Sequence, residues 1–256
     1  MRFLVTLSLL LAVSAAASGQ TPEEQIEITT VIVPVVGSVL GASGVHWKSD
    51  VELRNDMNAE VTVSMTIPAA GAERLMIVSI PPGETLRYND VVGQAFGIDA
   101  TLSPLVVQTE GRRSVTILAT AYGSRGTEHF PPQPITINYG PTYFPTRVLQ
   151  NLSFNEDFRT NLGLANLGET PAEFILALQR VPGRNLAVNR VRLPPNALWH
   201  MAIQLMFPLI SDGEHFSVVV ETPAHDTHVY ASVVDNHTQA ARFVQPTVGT
   251  SVVSPR

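Results

Sequence analysis

Along residues 61–67 the chain alternates, with Val61, Val63, Met65 and Ile67 on one side and Thr62, Ser64 and Thr66 on the other. A period of two with hydroxyls on the second face predicts a strand lying half on a core and half in water. Other apolar runs flank it: Val31–Val36, Trp47–Asn55, Arg74–Ile80, Leu86 to Tyr88, Leu105–Thr109 and Ser114–Tyr122. Turn formers separate them, namely the glycine-rich stretch 37–44, Asp56-Met57-Asn58, Pro81-Pro82-Gly83 and Glu110-Gly111-Arg112. The runs therefore read as short strands joined by turns, with Pro34 suiting an edge or first-pairing position. One helical turn is expected over 91–96, where Asn89-Asp90 supplies the cap. About seven such strands in succession is the pattern of an antiparallel β-sandwich.

The pattern is then written a second time. Trp47-Lys48-Ser49-Asp50-Val51-Glu52-Leu53-Arg54-Asn55 returns as Phe158-Arg159-Thr160-Asn161-Leu162-Gly163-Leu164-Ala165-Asn166. An aromatic, a base, a hydroxyl and an Asp or Asn open each copy, and Leu-x-Asn closes it. The offset is 111 residues, and three further pairs keep nearly that register: Val33-Pro34 with Phe144-Pro145, Gln133-Pro134 with Gln245-Pro246, and Pro81-Pro82 with Pro194-Pro195. Self-similarity at this distance predicts one unit of about a hundred residues, duplicated. The expected division is a flexible leader at 20–30, a first repeat at 31–134, a proline-rich linker at 135–142, a second repeat at 143–246 and a tail without strands at 247–256. In the second repeat Phe174, Leu176 and Leu178 keep the alternation, and a helical turn is expected near Gln204–Phe207.

The N-terminus changes the picture of where the protein works. Met1-Arg2, the apolar run Phe3–Val13 and the small residues Ser14–Gly19 have the three parts of a secretory signal peptide over 1–19. That apolar run is too short for a membrane span, which needs about 20 residues. The expected location is therefore secreted, extracellular or periplasmic. With no cysteine in the chain, disulfides cannot hold the fold, so stability rests on burial. A net charge of −6, with the bases scattered singly, leaves no footprint for duplex nucleic acid or an anionic membrane. Low charge together with 17 glycines and 19 prolines suits many short strands and turns.

Several of these stretches resemble a known kind of protein. Leu53-Arg54-Asn55 ahead of Val61–Met65, and Leu164-Ala165-Asn166 ahead of Phe174, look like the strand, Asn, turn and alternating strand of immunoglobulin-like bacterial surface domains. With Pro81-Pro82-Gly83-Glu84-Thr85-Leu86, Asn89-Asp90-Val91-Val92, Phe96-Gly97 and Tyr230–Asn236, the chain is similar to secreted bacterial proteins carrying tandem repeats of that type. The resemblance spans nearly everything after the leader. It implies an all-β fold of two tandem antiparallel immunoglobulin-like β-sandwich domains and transfers no catalytic residue. The second copy departs at Asn196-Ala197, where the first has Gly83-Glu84, and lacks the Phe-Gly pair.

Candidate chemistry is sparse. His225-Asp226-Thr227-His228 offers two imidazoles and a carboxylate, types that zinc or copper accepts, although a two-His spacing is a weak motif and a polar hairpin tip explains it as well. His200 and His215 stand beside apolar strand residues and read as half-buried strand positions. Glu156-Asp157 and Asp212 with Glu214 are carboxylate pairs in loops, where solvated turn acids are the simpler explanation. Phe158 and Leu86 stand in the other copy where Trp47 and Trp199 stand, so both positions read as core packing. Tyr122, Phe130, Tyr139 and Tyr143 gather around the linker, where a groove between repeats would form. Asn151-Leu152-Ser153 and Asn236-His237-Thr238 match the glycosylation sequon. No residue is assigned a catalytic, cofactor or metal role. The expected function is a secreted, non-catalytic interaction or structural module that binds an extracellular protein, glycan or cell-surface partner through strand edges, loops or the groove. The alternative is a secreted hydrolase using loop carboxylates or histidines of the second repeat.

Overall fold

The computed structural model describes residues 27–68, 73–111, 114–140, 144–181, 184–210 and 212–249. The expected signal peptide and Tyr143 lie outside them. In the first half β1 (Ile28–Leu40), β2 (His46–Asn55), β3 (Val61–Ile67), β4 (Arg74–Ile80) and β5 (Thr85–Tyr88) lead to helix α1 (Val91–Phe96). There follow β6 (Thr101–Glu110), β7 (Val115–Arg125), β8 (Glu128–His129), β9 (Gln133–Ile135) and β10 (Asn138–Tyr139). In the second half β11 (Thr146–Phe154), β12 (Phe158–Asn166), β13 (Ala172–Val181), β14 (Arg184–Leu193) and β15 (Ala197–Ala202) lead to α2 (Ile203–Met206). The chain then forms β16 (Gly213–Glu221), β17 (Thr227–Asp235), β18 (Ala241–Val244) and β19 (Thr247–Val248).

The protein is all-β, its ladders antiparallel, and the pairing of the first half recurs in the second. The order β4-β3-β6-β1-β10 is matched by β14-β13-β16-β11-β19, and β5-β2-β7-β9 by β15-β12-β17-β18. The register recurs as well. Trp47 faces Gly123 and Lys48 faces Tyr122, as Phe158 faces Asp235 and Arg159 faces Val234. The offset is thus 111 on β2 and β12, and 112 on β7 and β17. The halves differ where β1 turns straight into β2, pairing Ser38 to Lys48 and Leu40 to His46 and so joining the two sheets of the first half.

Alternation does what the sequence pattern predicts. Val61, Val63, Met65 and Ile67 are buried in one core with Val33, Leu53, Leu105 and Ile117. Phe174, Leu176 and Leu178 are buried in a second with Leu149, Leu162, Phe216 and Val229. Each core draws side chains from both sheets of its half, a sandwich-like layering. The closing residue of Leu-x-Asn acts as a peg in both copies. Asn55 Nδ2 donates to the carbonyls of Ala59 and Ile80, both at 2.8 Å, and its Oδ1 accepts from Met57 N–H. Asn166 does the same with Thr170, Pro194 and Gly168. Helix α1 forms as expected, with the Asp90 carboxylate accepting from Gly93 N–H at 3.2 Å.

Several segments read as irregular are paired instead. Residues 28–30, assigned to the leader, continue β1 against Glu110–Gln108. Gly37 and Ser38, read as loop, stay in β1 opposite Leu102 and Thr101, and only 41–44 turns. Linker residues Asn138 and Tyr139 pair with β1, and tail residues Thr247 and Val248 pair with β11. In each case unpaired backbone beside a sheet edge finds partners there, a pull that side-chain composition does not reveal.

Candidate binding cleft between the halves

The two copies build their cores alike but differ in the outer face. On β2 and β7 the outward side chains are Asp50, Glu52, Arg54, Thr116 and Leu118, and on β5 Arg87, which bonds Glu52 at 3.3 Å. This face meets solvent, and Leu118 is 60% exposed. The matched positions on β12, β17 and β15 are Asn161, Gly163, Ala165, His228, Tyr230 and His200. Here Gly163, Ala165, His228 and Tyr230 are buried. Charges have given way to small and aromatic groups because the first half covers this sheet. Phe243 of β18 packs against the first core and stacks on Tyr230 at 5.3 Å between ring centroids, and Asn138 Nδ2 lies 3.5 Å from His228 Nδ1.

Where the cover is incomplete it leaves a cleft of about 530 Å³. One wall is Val35, Val39 and Leu40 of β1 with Trp47; the other is Arg159, Asn161, His200 and Tyr230. Trp47 has the inward parity of Ser49 and Val51, yet it stands at the end of β2 beyond the core. Its indole is half-buried and lies against Gly41, where an added Cβ would come within 2.7 Å of Cδ1. The expectation that Trp47 is core packing is therefore corrected: it is a cleft residue. Trp199 packs against the second core as expected.

The polar groups of the cleft, and those of the two smaller cavities that hold Tyr122 and His228, are placed by neighbours. Lys48 is held by Asp90, Nζ to Oδ2 at 2.7 Å, and Asp90 also accepts from Ser38 Oγ at 3.2 Å. Asp50 accepts from the Asp90 backbone N–H at 2.9 Å. Burial, and then the charges of Asp50 and Asp90, push the Tyr122 phenol up to about 12. Arg159 donates to Asn236 Oδ1 and Gln239 Oε1, both at 2.8 Å. His200 Nδ1 lies 2.8 Å from Tyr230 Oη. Burial holds His200 down to about 4 and pushes Tyr230 up. His228 is held at about 4 by burial and then by the nearby Arg147 charge.

A pH dependence follows from the two neutral histidines. Both fold with values below the ordinary 6.5, so below pH 6.5 the unfolded chain binds protons that the folded chain refuses. Stability is therefore full above 6.5 and is lost as pH falls toward 4, by roughly 1–3 kcal/mol per histidine. His237, raised by its bond to Asp157, works in the opposite sense but is exposed. Urea unfolding from pH 7.5 to 4.5 should show the loss, and His200→Gln should flatten it. An unchanged slope in that variant would contradict the assignment of His200.

The other sequence candidates are dispersed. His225 sits exposed in the turn before β17, while His228 is buried on the strand, so the pair is split between solvent and interior. Among the described residues no three His, Asp or Glu side chains gather as metal ligands. His215 is not half-buried; it is exposed, with φ of 59° beside an irregularity in the β11–β16 ladder. Asp157 pairs with His237, while Glu214, His215, Asp235 and Arg242 line a separate cavity of about 400 Å³. Tyr139 lines a small cavity with Arg147 and His228, and Tyr122 and Phe130 line another beside Asp50. The cleft between the halves is thus not lined by the linker aromatics Tyr122, Phe130 and Tyr139 that the sequence offers; its aromatic lining residues are Trp47 and Tyr230. Asn236, the second sequon asparagine, is engaged at both amide atoms, with Arg159 and with the Glu156 carbonyl. Arg159 and Tyr230 were missed as site residues; aligning the copies at outward positions, Glu52 against Gly163 and Arg54 against Ala165, carries the signal.

No known protein family matches the chain, and no curated protein matches it. Among solved structures, beta-glucuronidase 2 of Bacteroides uniformis, covalently bound to cyclophellitol-6-carboxylate aziridine, aligns at 10% identity with a TM-score of 0.16. The alignment covers 79% of this chain and 25% of that one. A likeness that slight carries no argument about fold or activity. Among the described residues no helix is long and apolar enough to cross a membrane.

Proposed function

We propose that this protein is a secreted, non-catalytic binding module of two tandem immunoglobulin-like sandwich units, and that the cleft between them holds its ligand. The pairing of second strand with fifth and of third with sixth, in both halves, agrees with the immunoglobulin arrangement. The first and last long strands sit differently, β1 beside β6 and β7 beside β2. Of the strand edges, loops and groove that the sequence offers to a partner, the groove has the strongest support. The observation that carries this reading is one mostly apolar cleft of about 530 Å³ with a few convergent polar groups. That is the size and make-up of a small-ligand site, and too small for a folded partner. The occupant is a small extracellular molecule, or the apolar part of a larger one. The hydrolase alternative draws on Glu214, His215 and Asp235, which line a cavity of their own.

Trp47 provides the test. In a Trp199→Phe background it is the sole tryptophan, and it lies in the cleft. Decan-1-ol should shift its emission and raise the melting temperature, since a ligand bound only by the folded state stabilises it by mass action. Emission and melting temperature both unmoved at saturating decan-1-ol would count against a ligand cleft.

A further inference from the structure

The duplication supplies an internal control for the charge of the cleft. In the first half the base of the anchor stretch, Lys48, is neutralised by Asp90 at 2.7 Å, with Asp50 bonded to the Asp90 backbone N–H. At the matched position the second half has Arg159. Both acids are gone: Asp50 corresponds to Asn161, and the cap before the short helix, Asp90 before α1, is Ala202 before α2. Asn161 and Ala202 line the cleft beside Arg159.

Arg159 therefore has no carboxylate. Its two bonds go to the neutral amides of Asn236 and Gln239, and it makes no ion pair among the described residues. A guanidinium has five N–H donors, so three remain after those bonds. The group is partly buried, and desolvation lowers its pKa. A partly buried charge without a counter-ion is costly, and an anion delivered by a ligand relieves that cost. The neighbouring cation, Lys48, is already paired, and the nearby imidazole of His200 is bonded to Tyr230. The unpaired positive charge thus sits at one place on a wall whose other polar groups, Asn161, His200 and Tyr230, are neutral, facing the apolar wall of Val35, Val39 and Leu40.

We infer that the cleft takes a small molecule with an apolar body and a terminal carboxylate, the carboxylate bound by Arg159 and the body lying along Trp47, Val35 and Leu40. Guanidinium suits this head because its planar donor fork matches a carboxylate. The inference rests on the cleft reading above and adds the chemical class of the ligand.

Decanoate and decan-1-ol both have ten carbons and differ in the head, and the alcohol has the longer apolar chain by one methylene, so they separate the two readings. Trp47 emission in the Trp199→Phe background, titrated at pH 7.5 and low salt, should show decanoate binding at least about tenfold tighter than decan-1-ol, the advantage of a charge-assisted bond. Arg159→Gln should bring the ratio of the two affinities to near one. Because Arg159 also ties the 236–239 turn, Asn161→Asp serves as the second variant; it keeps the guanidinium and returns an acid to the place of Asp50, and it too should collapse the ratio. Equal affinities in the parent protein, or a preference that survives both substitutions, would overturn the carboxylate inference and leave the cleft standing. Failure of both compounds to bind would overturn the inference together with the cleft.

Discussion

Replacing Asn166 by alanine is expected to cost about 3–5 kcal/mol of stability, among the largest losses from any one side chain. Asn166 is buried, donates to the Thr170 carbonyl at 2.8 Å and the Pro194 carbonyl at 3.0 Å, and accepts from Gly168 N–H at 3.0 Å. One side chain thereby ties the β12–β13 turn to the end of β14. Alanine leaves two carbonyls and one amide without partners, each worth about 1–3 kcal/mol when left unsatisfied. Aspartate should not rescue it, because it keeps the acceptor, loses both donors and sets a charge against carbonyl oxygens. Asn55→Ala should behave alike, since its three bonds are the counterparts. Urea unfolding of both variants measures this; a loss below about 1 kcal/mol would mean that the peg is dispensable.

Gly163→Ala should cost about 3 kcal/mol or more although it adds one methyl group. Gly163 faces Tyr230 across the β12–β17 ladder, and an added Cβ would fall within the Tyr230 ring. The ring cannot swing away freely. Tyr230 is 1% exposed, stacked on Phe243 and bonded to His200. Overpacking of such a site forces side chains off their rotamers or the strands apart, typically at 1–3 kcal/mol, and here the bond to His200 is lost too. The cause has its own signature. In a Tyr230→Ala background the space is open, so Gly163→Ala should then cost under about 1 kcal/mol, a coupling that a double-mutant cycle reads directly. A cost unchanged by Tyr230→Ala would place the strain in the backbone of β12 instead.

Much of the fold was legible because period-two alternation and paired turn formers report local geometry. Val61–Ile67 and Phe174–Leu178 fall where their patterns put them, and the 111-residue offset of the anchor reappears as a register offset between ladders. Two-residue strands such as β10 and β19 were not legible, because nothing in Asn138-Tyr139 or Thr247-Val248 says which edge lies nearby. The site was harder for a related reason. His225 and His228 are close along the chain, but a turn with Asp226 at φ of 54° separates the exposed ring from the buried one. Trp47 looked like core because Phe158 occupies its place, and parity does put it inward; it is the end of the strand that opens it to the cleft. What distinguishes the second outer face is visible only when the copies are laid together, charge for charge, and the acids of the first are found to be missing in the second.

The central claim is that the second copy's outer sheet, covered by the first half, forms a ligand cleft with Arg159 as its anion receptor. A crystal structure of the chain grown with decanoate tests it most directly. The expected result is a carboxylate about 2.7–2.9 Å from the Arg159 guanidinium, with the alkyl chain running along Trp47, Val35 and Leu40. A cleft that stays empty of decanoate while the ligand sits elsewhere, or halves packed so that Trp47 and Arg159 do not share a cavity, would contradict it.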